Sequence, residues 1–337
     1  MIYPDTMSAM VLEKAGNPLI CKKLPIPRPS DNQVLVKVLA CGICRTDLHI
    51  MDGELNKPKL PLIPGHEILG TVIETGKAVK EPVAGQLVGI PWLGSTCGHC
   101  KFCLQGMENL CDTPLFTGYT IDGGYAEYTV ADSRFCFVLD EPYRSPSSAP
   151  LLCARLIGFR SYQMITASAQ NIGMYGFGAA AHILIQIAIA QNKKVFAFVR
   201  DNDHQAKQFA KTMGAYWSGG SSETAPELLD AAIIFASAGE LIPKALKEVG
   251  KGGQVICGGI HMTDIPAFSY DLLWGERSVK SVANLTHQDG LNFFSVLKDV
   301  AVHTQTQVFK LAEANEAISM LRSGKISGAA VLVMDEA

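Results

Sequence analysis

Between Ala40 and Glu67 the chain carries ACGICRTDLH (Ala40 to His49) and PGHE (Pro64 to Glu67). Cys44 offers a thiolate, His66 an imidazole nitrogen and Glu67 a carboxylate. This is the mixed soft and borderline donor set that Zn²⁺ takes when it must also hold a substrate. One more strong ligand is missing from the stretch. Cys153, in PLLCA (Pro150 to Ala154), is the best candidate, because a fold can return a residue to a site from any distance along the chain. Two cysteines, one histidine and one open position make a catalytic zinc. Alone, each residue reads as structural, since a single Cys is usually a small buried hydrophobe; the combination points to a metal.

A second cluster is more compact. Cys97, Cys100, Cys103 and Cys111 stand as C-x2-C-x2-C-x7-C in TCGHCKFCLQGMENLC. Four thiolates with no open position describe a structural zinc, which ties down a loop that has no core of its own. An iron-sulfur cluster is the rival. Its bacterial ferredoxin run needs a last gap of three residues and a Pro after the fourth Cys, whereas here seven residues intervene and Asp112 follows. Cys21, Cys41, Cys136 and Cys257 remain and read as structural.

The third chemical feature is a turn. In MYGFGAAAH, Gly176, Gly178 and Ala181 fit G-x-G-x-x-G/A, with an apolar strand before and an amphipathic helix after. Gly176 permits the tight turn, Gly178 lets backbone approach a pyrophosphate, and Ala181 allows close packing of helix on strand. The helix N-terminus then faces the phosphates. The end of the next strand selects the cofactor, because an acid there accepts from the ribose of NAD while an Arg receives the phosphate of NADP. The sequence is FAFVRDND, and Arg200 stands where the strand should end, so NADP(H) is favoured over NAD(H). Asp201 and Asp203 oppose a phosphate by charge.

These features need scaffolds of two kinds. Up to about Pro150 the chain runs in short β-type segments cut by Gly, Pro and Asp: Val34 to Ala40, Ile68 to Thr75, Leu87 to Ile90 and Tyr125 to Val130. From about Leu151 apolar runs at 172–175, 195–199, 231–235, 254–257 and 279–283 alternate with helical patterns, the first helix showing apolar Ala180, Ile183, Leu184, Ile187 and Ala188. Such alternation means a parallel, doubly wound sheet. The tail, with a helix over 312–325 and a strand over 328–334, returns to the first domain. The expected division is therefore 1–153 with 285–337 for the β-rich domain, and 154–284 for the nucleotide domain.

The 337 residues, 48% hydrophobic and 18% charged, suffice for two cores. A net charge of -3 and no long basic run argue against nucleic acid or an anionic membrane as partner. Neither a leader-like start nor a run of membrane-spanning length is present, and the cytoplasm is the expected location.

With both zinc signatures and the nucleotide turn located, the chain resembles the zinc-dependent alcohol dehydrogenases of the medium-chain dehydrogenase/reductase family. CGICRTDLH, PGHE, PWLGSTCGHCKFC, DGGYAEY, PLLCA and YGFGAAAH carry the likeness, in order, over essentially the whole length. It implies an α/β architecture with a GroES-like β-rich catalytic domain and a Rossmann domain. It implies Cys44, His66 and Cys153 as catalytic zinc ligands, with water or Glu67 as the fourth, and therefore two zinc ions per chain. By the same likeness Thr46 passes the substrate proton towards the cofactor ribose and His49, and Arg45 contacts the cofactor pyrophosphate. Asp47 is placed to orient His66, or to cap a helix. Trp92 and Leu93 resemble pocket-lining residues, and Ile157 resembles a residue touching the nicotinamide.

The resemblance implies reversible hydride transfer between a primary alcohol with an apolar tail, or its aldehyde, and the nicotinamide. Two alternatives stand beside it: a polyol or sugar dehydrogenase on the same scaffold, and a catalytically silent zinc- and nucleotide-binding relative. The polyol branch usually has Glu where Cys153 stands. Many relatives have Gly where this chain has Arg155, and some carry an Arg where it has Gly328 and Ala329. By analogy with the family, the chain forms a homo-oligomer, a dimer or tetramer.

Overall fold

A computed structural model describes residues 3–55, 57–259 and 262–334. The chain divides into two compact units, one of Met1–Cys153, Thr286–Leu291 and Thr304–Ala337, the other of Ala154–Leu285 and Asn292–His303.

The first unit is built on β1 (Gln33–Ile43), which feeds directly into the short helix α1 (Arg45–Asp52). There follow β2 (Glu67–Thr75), β3 (Leu87–Ile90), β4 (Leu93–Ser95), β5 (Leu115–Phe116), β6 (Tyr128–Asp132) and β7 (Phe137–Val138). β1 pairs antiparallel with β2 and with β6, and β2 with β3, while β4 and β5 form a separate small ribbon. β1 is apolar almost throughout and buried on both faces, so it forms the spine of this core. A 3₁₀ run, Pro146–Leu152, then leads to Cys153.

The second unit opens with α2 (Ala154–Gln163), then β8 (Asn171–Tyr175), α3 (Ala179–Ala190), β9 (Lys194–Val199), α4 (His204–Thr212), β10 (Trp217–Gly220), β11 (Leu229–Ile234), α5 (Leu241–Glu248), β12 (Val249–Cys257) and β13 (Ser278–Ser281). All five strand pairings are parallel, in the order β10-β9-β8-β11-β12-β13. That is the doubly wound order with its reversal at β8, the strand that ends in the glycine-rich turn. Every apolar position assigned to α3 is buried. β10 has no counterpart in the sequence reading, because WSGG carries two glycines and no alternation.

Helix α6 (His287–Asp299) is divided between the two units, and β14 (Thr306–Lys310), α7 (Ala314–Arg322) and β15 (Ala329–Val333) follow it in the first. β15 pairs antiparallel with β1, so the tail rejoins the first sheet. One part of the expected division is corrected. Leu285 and Asn292–His303 lie in the second unit, where the Phe293 ring packs 5.2 Å from that of Phe159. No helix among the described residues is long and apolar enough to cross a membrane.

Candidate active site and metal centres

Cys44 is the N-cap of α1, in extended conformation where β1 gives way to the helix. Two residues on, Thr46 is buried in the first turn, its Oγ1 3.8 Å from Cys44 Sγ. Asp47, fully buried, uses Oδ2 to accept the Cys44 N–H at 2.8 Å and places Oδ1 3.2 Å from His66 Nδ1. The two roles weighed for Asp47, helix cap and imidazole partner, are thus played by two oxygens of one carboxylate.

His66 stands at the start of β2 after Gly65, whose φ of +95° only glycine adopts cheaply. A Cβ at Gly65 would also fall 2.6 Å from Tyr125 Cε1 and 2.8 Å from Cys41 Sγ. With Nδ1 donating to Asp47, the imidazole turns Nε2 to Cys153 Sγ at 3.3 Å. Cys153 Sγ is itself 3.7 Å from Cys44 Sγ. The 3₁₀ run ahead of Cys153 packs against β1 and β2, the strands next to Cys44 and His66, which is how a residue 109 positions from Cys44 arrives beside it.

One ligand atom from each of Cys44, His66, Glu67 and Cys153 lies within 4.8 Å of the others, and all but Cys44 are buried. The electrostatics fit a cation. Cys153 beside it, with His66, holds the Cys44 thiol well below its ordinary range despite burial. The same hydrogen bond to Cys44, and burial, push Cys153 well above. Burial pushes His66 down, but the Asp47 charge and hydrogen bond, with Cys44, more than reverse this. Two thiols and an imidazole thus compete for protons in one dry place, and a divalent ion satisfies all three donors at once.

An aromatic wall flanks this cluster. Trp92 meets the His66 ring edge-on, at 5.0 Å and 79° between planes. Phe116 and Tyr119 stack on Trp92 at 5.1 and 5.6 Å, and the Thr117 N–H donates to the Trp92 carbonyl at 2.9 Å. Neither Phe116 nor Tyr119 stood out in the sequence; the only signal was two aromatics in the FTGYT turn. Leu93, expected beside Trp92 as a pocket wall, is fully buried in β4 and offers no open surface. Arg45 is exposed in the first turn of α1, and His49 is partly exposed in its last, paired with Glu54.

The second cluster brings Cys97, Cys100, Cys103 and Cys111 within the same 4.8 Å. Its sulfurs attract backbone donors: Cys97 N to Cys111 Sγ at 3.4 Å, Cys100 N to Cys97 Sγ at 3.3 Å and Thr113 N to Cys111 Sγ at 3.4 Å. Backbone N–H groups of Cys103 and Asp112 bring the Cys100 thiol down to about 6, while burial takes Cys103 up to about 11. All ten cysteines are free of disulfides.

In the second unit, Gly176 turns at φ +89°, where a Cβ would meet the Ala236 nitrogen at 3.0 Å. Gly178 is the N-cap of α3 with open space in front of it, and Ala181 is fully buried against the sheet. Arg200 is exposed just past β9. The two acids after it have backbone partners: Asp201 accepts from Ser222 N at 3.0 Å, and Asp203 caps α4 by accepting from Ala206 N at 2.9 Å. Arg155 is 3% exposed in α2, and its charge adds to burial in holding His182 of α3 below the usual range. Ile157 is half-buried on α2.

Residues 30–141 match the alcohol dehydrogenase GroES-like domain. A probable alcohol dehydrogenase, AdhA, of Mycobacterium tuberculosis is 40% identical over 98% of both chains. An alcohol dehydrogenase of Geobacillus stearothermophilus is 34% identical over 98% of this chain and all of its own. Among solved structures, a cinnamyl alcohol dehydrogenase of Sorghum bicolor superposes with a TM-score of 0.85 at 25% identity, covering 97% of each chain. A fold of this order, the two cysteine-rich clusters and full-length likeness to curated alcohol dehydrogenases together place the chain among the zinc-dependent alcohol dehydrogenases of the medium-chain dehydrogenase/reductase family.

Proposed function

We propose that the protein interconverts a primary alcohol bearing an aromatic or other apolar tail and its aldehyde, using NADP(H) and two zinc ions per chain. The observation that carries the reading is the four-donor cluster of Cys44, His66, Cys153 and Glu67 set against the Trp92 ring.

Cys44, His66 and Cys153 would hold a zinc ion, whose Lewis acidity would lower the pKa of a substrate hydroxyl as it does that of water. Asp47 fixes the His66 tautomer, and Thr46, on the turn that carries Cys44, presents a buried hydroxyl to take the proton. His49, one helical turn further along α1 and partly open to solvent, is the exit for that proton. The stacked rings of Trp92, Phe116 and Tyr119 favour a flat apolar tail over a polyol, in keeping with the cinnamyl alcohol named for the Sorghum relative. The Cys97, Cys100, Cys103 and Cys111 cluster holds the other ion and closes its loop.

For the cofactor, the engagement of Asp201 and Asp203 with backbone N–H groups supports NADP(H), because it commits one oxygen of each acid to the backbone rather than to a ribose hydroxyl, while Arg200 stands exposed at the strand end. Gly176, Gly178 and Ala181 seat the pyrophosphate.

The test is metal analysis together with absorbance assays in NAD and NADP, using aromatic, aliphatic and polyol substrates. Two zincs per chain and faster turnover of aromatic alcohol with NADP bear the proposal out. Turnover confined to polyols, or cofactor binding without turnover, overturns it.

A further inference from the structure

Resting on the reading of the Cys44, His66, Cys153 and Glu67 cluster as a metal site, we infer that Gly42 is a positioning residue for the Glu67 carboxylate. Gly42, the penultimate residue of β1, stands directly opposite Glu67 in the antiparallel pair of β1 with β2. Both residues are buried, and the Glu67 side chain folds back across the strand pair over the bare Cα of Gly42. A Cβ at Gly42 would overlap Glu67 Oε2 outright and lie 2.9 Å from its Cδ and 3.0 Å from its Cβ.

The glycine is not there for its backbone. Gly42 lacks the positive φ that marks Gly65 and Gly176, so an alanine suits the strand conformation, and the three atoms nearest its Cβ would all belong to Glu67. Space, not conformation, is what this position supplies. The carboxylate has a resting place over β1, and its oxygen is within 4.8 Å of the donor atoms of Cys44, His66 and Cys153. Filling that place with a methyl group displaces the carboxylate, and a shift towards the donor cluster makes it compete with any neutral oxygen or nitrogen ligand for the fourth position. Gly42 thereby keeps a position open for substrate.

The experiment is a cycle of Gly42→Ala, Glu67→Ala and the double variant in the full-length protein. Each is loaded with Co²⁺ and titrated with imidazole while its visible absorption is followed; the melting temperature of each metal-free protein is also recorded. Gly42→Ala should bind imidazole about tenfold more weakly than wild type, the scale of a bias set by an overpacked methyl. The double variant should match Glu67→Ala in both imidazole affinity and melting temperature. If Gly42→Ala does not fold but the double variant does, the clash with Glu67 is equally established. Wild-type imidazole affinity in Gly42→Ala, or a double variant as impaired as Gly42→Ala, overturns the inference. A wild-type protein that binds no Co²⁺ sinks the metal-site reading instead, and the metal-free melting cycle still decides whether Gly42 and Glu67 interact.

Discussion

Asp47 reaches both His66 and Cys44 with one carboxylate: Oδ1 lies 3.2 Å from His66 Nδ1 and Oδ2 accepts the Cys44 N–H at 2.8 Å. Side-chain exposure of both Asp47 and His66 is 0%, so their attraction is unscreened and their desolvation is severe. The pair ties the start of α1 to the start of β2 and sets the ring nitrogen that faces Cys153.

Removing that carboxylate therefore acts on metal affinity before it acts on chemistry. Asp47→Asn keeps an oxygen for one partner and loses the charge; it should weaken zinc binding about 10- to 100-fold, the range for partners of metal-ligating histidines. Competition with a chromophoric chelator measures this. Unchanged affinity would show that His66 needs no charged acceptor.

Cys153 contributes a donor to one cluster only. Cys153→Ala should leave one zinc per chain, abolish turnover and spare the four-cysteine loop. Mass spectrometry under native conditions counts the ions, and two zincs per variant chain would remove Cys153 from the ligand set.

Metal-free protein should show unequal thiols in the Cys97 to Cys111 loop. With Cys100 down at about 6 and Cys103 up at about 11, pH 7 lies above the first value and below the second. Cys100 is then mostly thiolate and Cys103 mostly thiol, and the thiolate is the nucleophile. Iodoacetamide at pH 7 should label Cys100 first and Cys103 last, read by peptide mass spectrometry. Restoring zinc should protect all four and raise the melting temperature.

Arg200→Ala should lower kcat/KM for NADP by about tenfold or more while leaving NAD within about twofold, since a charged hydrogen bond contributes roughly 1.5–3 kcal/mol. Parallel cofactor titrations decide it, and equal losses for both cofactors would refute selection by Arg200.

Trp92→Ala removes both the face that Phe116 and Tyr119 stack on and the edge against His66. It should cost aromatic alcohols about 1–3 kcal/mol in kcat/KM relative to short aliphatic ones. An equal loss for the two substrate classes would mean that Trp92 supports His66 rather than the substrate.

What the sequence determined by itself was local chemistry. The Cys97 to Cys111 spacing and the Gly176 turn each lie within one short stretch, so local chain geometry brings their atoms together, while Cys44 and His66–Glu67 were legible as donor types whose meeting the pairing of β1 with β2 supplies. The alternation of strand and helix after Leu151 was legible for the same reason, because burial imposes its period on the residues of one element. Tertiary structure decided the rest. Cys153 reaches Cys44 only because the Pro146–Leu152 run packs on β1 and β2. Trp92, Phe116 and Tyr119 stack across a ribbon whose turn residues show no period. Gly42 matters through the side chain opposite it, and strand register is a relation between segments that no single segment contains.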